Sequence, residues 1–292
     1  MVTVTKDWIK TKDNHEIFTM TWKPDSEPIA TLVVIHGFGD HIARYDRMLK
    51  EFANHGIQSY GYDQRGWGET AKKSQQLGNN QGYDKALQDI DNAVLTTKKD
   101  KVPHFLMGHS MGGGLILNYL ARGDKFKGVS TLTGAIASAP LVTLSMPISA
   151  FRYYSLRAMS TVVPGVTIQT KVDPKGISRD QDEVNAYIND PLVSDYATLS
   201  TLRSFIDAGS DILKSKAKLI KTPILYSHSD SDPINAHKGT AEAFELTASQ
   251  DKELKTWNGY YHELHNEKPS DREAVYLCYI QWIKKRCNTS SL

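Results

Sequence analysis

Hydrophobic positions change period repeatedly along this chain, and each change marks out an element. Val4 to Lys10 and Glu16 to Trp22 carry β-branched and aromatic residues on either side of the turn-prone Lys12-Asp13-Asn14, which predicts a hairpin. Thr31-Leu32-Val33-Val34-Ile35 then runs apolar up to His36-Gly37, the pattern of a strand covered on both faces. Met48, Leu49, Phe52 and Ala53 recur at three- and four-residue spacing and predict a helix over Tyr45 to His55. Further strands are expected at Ile57 to Tyr62, Pro103 to Met107, Gly128 to Ser138, Pro223 to Ser227 and Leu254 to Trp257. Between and after them fall helices at Tyr83 to Lys98, Met111 to Ala121 and Arg272 to Lys284. Such alternation predicts an α/β fold with a mostly parallel central sheet flanked by helices.

One stretch, from Leu141 to Leu213, breaks the rhythm. It opens with the apolar cluster Leu141, Leu144, Met146, Ile148, Phe151, Leu156 and Met159. A polar segment and helical patterns near Asp182 to Ile188 and Tyr196 to Ile206 follow. An interruption that long is expected to carry its own structure, so residues 141–213 are read as an inserted helical cap, and 1–140 with 214–292 as the core.

Composition narrows the class without identifying it. The 292 residues are 40% hydrophobic, enough for a large core, and the 35 basic residues are scattered against 33 acidic ones, which argues against a nucleic-acid partner. Cys278 and Cys287 lie nine residues apart on one predicted helix, over two turns from each other, and are expected to be free thiols. No leader-like segment and no apolar run of ~18 residues stands out, so a reducing, cytoplasmic setting is expected, with peripheral membrane contact left open.

The chemistry centres on Gly108-His109-Ser110-Met111-Gly112, which matches G-x-S-x-G between a predicted strand and a predicted helix. A strand turning abruptly into a helix strains its central residue, and glycines two positions away on either side remove side chains that would collide there. A serine that merely caps the helix is the plain alternative, but the strand and helix around it favour a nucleophile in an α/β-hydrolase fold. Gly112-Gly113-Gly114 lacks the spacing of a dinucleotide-binding loop. A serine hydroxyl needs a base and donors for the oxyanion. His36-Gly37-Phe38-Gly39 follows a buried strand where this fold places its second donor, which assigns the oxyanion hole to the backbone N–H groups of Phe38 and Met111. The acid should follow a late strand. Asp230 and Asp232 both do, and Asp232, deeper in the turn before Pro233-Ile234, is favoured. His262 and His265 both precede the last helix, and His262, nearer the turn, is the favoured base. His262-Glu263-Leu264-His265 is one residue short of H-E-x-x-H, so no metal is expected, and nothing in the motifs calls for a cofactor.

Taken together, His36 to His41 with Arg44-Tyr45, Asp63-Gln64-Arg65-Gly66-Trp67-Gly68, Gly108 to Gly113 and Tyr261 to His265 resemble the monoacylglycerol lipases, fungal members included, and related lysophospholipases. The resemblance runs from about Thr31 to Lys285. It implies hydrolysis of a monoacylglycerol or another small lipid ester, with Asp232 as acid and His262 as base. It also implies a polar pocket for the glycerol end, where Arg44, Tyr187 and His265 match the family's contacts. Asp40 stands where many members have the longer glutamate. A cap lining an apolar acyl tunnel is implied too, with contact to a membrane or lipid droplet through that cap. A broader carboxylesterase with the same triad and, in a different class, a ligand-binding receptor of this fold are the competing readings.

Overall fold

The computed structural model describes residues 1–170 and 172–287. β1 (Thr3–Lys10) and β2 (Glu16–Lys23) form the expected hairpin. β3 (Ala30–Ile35) leads through a 3-10 turn into α1 (Asp46–Asn54). β4 (Ile57–Tyr62), the short α2 (Gly68–Ser74), α3 (Tyr83–Thr97), β5 (His104–His109) and α4 (Met111–Leu120) follow. After β6 (Gly134–Ser138) the chain leaves the sheet. It makes α5 (Ala150–Val162), β7 (Thr167–Gln169), α6 (Gln181–Asn189), β8 (Tyr196–Thr198) and α7 (Leu199–Asp211). It returns as β9 (Ile224–Ser229), α8 (His237–Leu246), β10 (Lys252–Trp257) and α9 (Pro269–Cys287).

The main sheet runs β1-β2-β4-β3-β5-β6-β9-β10, with β1, β2 and β4 joined antiparallel and every pair from β4 onward parallel. This is the mostly parallel sheet that the strand–helix alternation called for, in the α/β-hydrolase arrangement that the G-x-S-x-G elbow called for. Strand side chains alternate between two cores. Val33, Ile35 and Leu106 pack on the side of α3 and α4, while Leu32, Val34, Phe105 and Met107 pack on the side of α1 and α9. Two covered faces explain why β3 reads as an unbroken apolar run.

Two expected elements are corrected. The strand expected from Gly128 begins only at Gly134, and Lys127–Thr131 forms a 3-10 turn. Gly128 donates its N–H to Asp91 (2.9 Å), and a Cβ there would stand 2.3 Å from the Tyr119 hydroxyl, so this segment is pinned to α3 and α4 instead of joining the sheet. The helix expected from Tyr196 begins at Leu199, because Thr198 caps it by accepting from Thr201 N, and Tyr196 to Thr198 pairs with β7 in a small antiparallel sheet. The segment from β6 to β9 is rooted in the main core through Val142, Phe205 and Ile212. Its outward side is apolar: Met146, Phe151 and Val162 are each about four-fifths exposed. These residues neither line an internal tunnel nor fill a cap core. Cys278 and Cys287 are free thiols on α9. No helix among the described residues is long and apolar enough to cross a membrane.

Candidate active site

Parallel strands deliver their C-terminal ends to one edge of a sheet, and the candidate residues arrive there from four of them. Ser110 sits between β5 and α4 with φ 55° and ψ −120°, a conformation strained for any residue with a side chain. Three backbone bonds hold it: its N–H donates to Ser138 O (2.9 Å), and its carbonyl accepts from Gly114 N (3.0 Å) and Leu141 N (2.8 Å). Glycine is required on both sides by contact. A Cβ on Gly108 would lie 2.3 Å from Gly112 O, and one on Gly112 would lie 2.3 Å from Ile35 O and 2.5 Å from His36 O. The same closeness brings the loop after β3 against the elbow.

That loop is fixed by His36, which donates Nδ1–H to Gly37 O (2.8 Å) and accepts Gln64 N–H at Nε2 (2.9 Å). Complete burial lowers its pKa to about 4, in keeping with a neutral ring. Phe38 and Ser110 both border a cavity of about 50 Å³. Met111 is the first residue of α4, so its N–H has no acceptor within the helix.

His262 Nε2 lies 2.9 Å from Ser110 Oγ, and its Nδ1 lies 2.7 Å from Asp232 Oδ2. Asp232 also closes the turn after β9, its Oδ1 accepting from Ile234 N (2.8 Å) and Asn235 N (3.0 Å). Asp230 is instead an exposed turn residue bound to Gly259 N (2.8 Å). Burial would raise the Asp232 pKa, but the His262 and His228 imidazoles overcome it and hold the carboxyl well below the usual range. Burial would likewise lower the His262 pKa, and the Asp232 carboxylate holds it above the ordinary value.

Of the three residues that the family resemblance offered for the polar end of a substrate, Tyr187 stands on the cavity wall, with Asp40 and Glu263. Arg44 does not reach the wall. Its guanidinium is committed to Glu263 through two bonds (2.8 and 2.7 Å) and to Asp40 (3.0 Å), with the Tyr187 ring 4.9 Å away. His265 does not reach it either. It stacks on Tyr45 (4.5 Å) and meets His109 edge-on (4.8 Å), both ring nitrogens lack a hydrogen-bond partner among the described residues, and burial lowers its pKa to about 4. The shorter acid at position 40 does make its contacts, accepting from Arg44 and from the Tyr45 hydroxyl (3.0 Å). Sequence reasoning passed over Glu263 and His228. Glu263 lies between the two candidate histidines, and His228 lies four residues before the acid, bonded to Asp232 Oδ2 at 3.0 Å. Tyr187 and Val172 also border a larger open groove of about 620 Å³ between α2 and the segment that follows β6.

Sheet order and elbow together define the class, a serine hydrolase of the α/β-hydrolase fold. Residues 26–269 match the family described as Serine aminopeptidase, S33, and the chain belongs to it. It is 30% identical to human monoglyceride lipase over 285 residues, covering 95% of this chain and 90% of that protein. An abhydrolase domain-containing protein of Dictyostelium discoideum is 33% identical over 278 residues, 94% of this chain, although the chain spans only 28% of that protein's length. Among solved structures, a soluble variant of the Saccharomyces cerevisiae monoglyceride lipase in complex with a substrate analog is similar, with a TM-score of 0.85, 27% identity, and coverage of 96% of this chain and 94% of that one.

Proposed function

We propose that this chain cleaves the ester bond of monoacylglycerols, releasing fatty acid and glycerol through an acyl-enzyme on Ser110. The observation that supports it most is the unbroken hydrogen-bond run from Ser110 Oγ through His262 to Asp232, buried at the strand edge. As Oγ attacks the ester carbonyl, its proton passes to His262 Nε2 and the carbonyl electron pair moves onto oxygen. The backbone N–H groups of Phe38 and Met111 receive that oxyanion, and each such donor typically contributes about 2.7–4 kcal/mol to transition-state stabilisation. The imidazolium, paired with Asp232, then protonates the glycerol oxygen as the ester C–O bond breaks. Water repeats the sequence on the acyl carbonyl: His262 takes its proton, hydroxide adds, and Ser110 leaves as the protonated alcohol.

Similarity to monoglyceride lipases directs the choice of ester. Asp40, Glu263 and Tyr187 supply a polar wall suited to the glycerol hydroxyls, with Arg44 acting through the two carboxylates it holds. Residues 141–213 are the cap. The cavity of about 50 Å³ beside Ser110 is far below the ~300–1,000 Å³ of a typical ligand pocket, so an acyl ester needs either a shift of the cap or the adjoining groove of about 620 Å³, which shares Tyr187 and Val172, to hold its chain. The exposed apolar side of α5 and its approach, with Met146, Phe151, Tyr154 and Val162, then rests on the membrane or lipid droplet that carries the substrate.

The test compares kcat/KM for a monoacylglycerol, a short aryl ester and a lysophospholipid, in the native enzyme and in Ser110→Ala. Only a substrate that fills both the acyl path and the polar wall gains full transition-state binding, so the monoacylglycerol should lead. Ser110→Ala should abolish turnover while the fold persists. Undiminished activity in that variant removes the triad, and equal kcat/KM on all three esters reduces the enzyme to a general esterase.

A further inference from the structure

Asp232 carries more than one imidazole. Its Oδ2 lies 2.7 Å from His262 Nδ1 and also 3.0 Å from Nε2 of His228, a fully buried residue of β9 that does not border the cavity beside Ser110. The tautomer of His228 follows from its neighbours. Nε2 also lies 3.1 Å from the Asn235 carbonyl, which can only accept, so Nε2 carries a hydrogen, and in the neutral ring Nδ1 then accepts from the Thr240 hydroxyl (2.7 Å). With Ile234 N and Asn235 N on Oδ1, the carboxylate has four donors for its roughly four lone-pair sites, and its rotation is fully specified. Nothing in the ester chemistry above requires the fourth donor.

We propose that His228 is a positioning residue for the reaction: its Nε2–H locks the Asp232 carboxylate in line with His262 and takes a share of the negative charge that would otherwise act on His262 alone. This rests on the reading of Asp232 and His262 as acid and base. Two consequences follow in opposite senses. Removing the donor loosens the carboxylate, which slows proton transfer. It also leaves more charge for His262, which strengthens that base instead of weakening it. Other titratable groups surround the pair. His262 is faced by Asp40 from the loop after β3, by His109 from the end of β5 and by Glu263 and His265 from its own loop, and His228 is faced by His237 from α8 (ring centroids 5.7 Å apart). Among them Asp232 alone is hydrogen-bonded to both imidazoles, so a change at His228 reaches His262 through that carboxylate.

The experiment measures kcat and KM against pH for His228→Leu and His228→Gln, with Ser110→Ala and Asp232→Asn as controls for the underlying triad. In His228→Leu, kcat should fall ~10-fold, less than the ~100-fold attached to a full 1 Å misplacement, with KM unchanged. The ascending limb of its kcat/KM profile should move up by about half a pH unit, the share of one charge-assisted hydrogen bond. Glutamine keeps an N–H donor at similar reach, so His228→Gln should restore both the rate and the position of the limb. A limb that stays put or moves down in His228→Leu, or a His228→Gln variant as impaired as His228→Leu, overturns the proposal. Full activity in Ser110→Ala and Asp232→Asn would instead overturn the triad itself. Should His228→Leu fail to fold, imidazole nitrogen NMR of the native enzyme decides: a proton on Nε2 of His228 supports the proposal, and a proton on Nδ1 with none on Nε2 overturns it.

Discussion

Replacing Asp232 with asparagine keeps the shape of the side chain and removes its charge, and the four donors around it determine the outcome. Two backbone N–H groups point at Oδ1 and two imidazoles point at Oδ2. An amide NH2 must face one pair or the other. Backbone amides cannot give up their hydrogens, whereas imidazoles can change tautomer, so the NH2 settles toward the rings. His262 then accepts at Nδ1 and carries its proton on Nε2 against Ser110, where it cannot act as a base. In a serine protease the same tautomer error costs about 10⁴ in kcat. The lost attraction between imidazolium and carboxylate, with charges ~4 Å apart at an effective dielectric of ~20, is about 4 kcal/mol, or roughly 10³ in rate. Asp232→Asn should therefore lose ~10³- to 10⁴-fold in kcat, with KM little changed. The pH profile carries a second sign. Only neutral His262 takes a proton and Asp232 raises its pKa, so the ascending limb of native kcat/KM lies above the ordinary imidazole value of 6.5. That limb should move down in Asp232→Asn. Fatty-acid release from a monoacylglycerol, followed from about pH 5 to 9, measures both. A loss below ~10-fold, or a limb that does not move, refutes the reasoning.

Gly112→Ala would place a Cβ 2.3 Å from Ile35 O, and the overpacking should cost about 1–3 kcal/mol of stability and most of the activity, read by thermal melting and kcat. Arg44→Met leaves Asp40 and Glu263 buried without their cation, a loss of about 3–5 kcal/mol measurable by urea denaturation. Burial opposes ionisation of Glu263, but Arg44 wins and pushes its carboxyl down to about 2 from an ordinary 4.5. This pairing therefore stabilises fully above about pH 4.5 and is lost as the pH falls toward 2, whereas Arg44→Met should gain stability on acidification. Phe151→Asp should lower co-sedimentation with lipid vesicles and leave hydrolysis of a soluble short ester unchanged; undiminished sedimentation would remove the lipid-facing role of α5.

Local patterns carried most of the fold. The buried run of β3, the period of α1 and the glycines around Ser110 each state a constraint satisfied within a few residues, and the structure meets them there. Gly68–Ser74 went unread because its helix shows no apolar face, and the segment after Gly128 misled because Val129 and Leu132 suit a strand as well as a turn pinned by Asp91. In the site, the G-x-S-x-G motif singled out Ser110 and chain order the two loops; the sequence already favoured Asp232 over Asp230 and His262 over His265, and in the structure Asp232 and His262 form one hydrogen-bond run with Ser110. Partners formed across long stretches of chain were out of reach. Arg44 meets Glu263 across 219 positions, and nothing local announces that its charge is spent there instead of on a substrate.

The central claim is that Ser110 Oγ forms the covalent bond to the acyl group. Reaction with a fluorophosphonate probe, followed by mass mapping of the peptides, tests it most directly. A single adduct on the peptide carrying Ser110, absent from Ser110→Ala and slowed strongly in His262→Ala, is the expected result. An adduct on any other residue, or a native enzyme that hydrolyses its ester while remaining unlabelled and uninhibited, would contradict it.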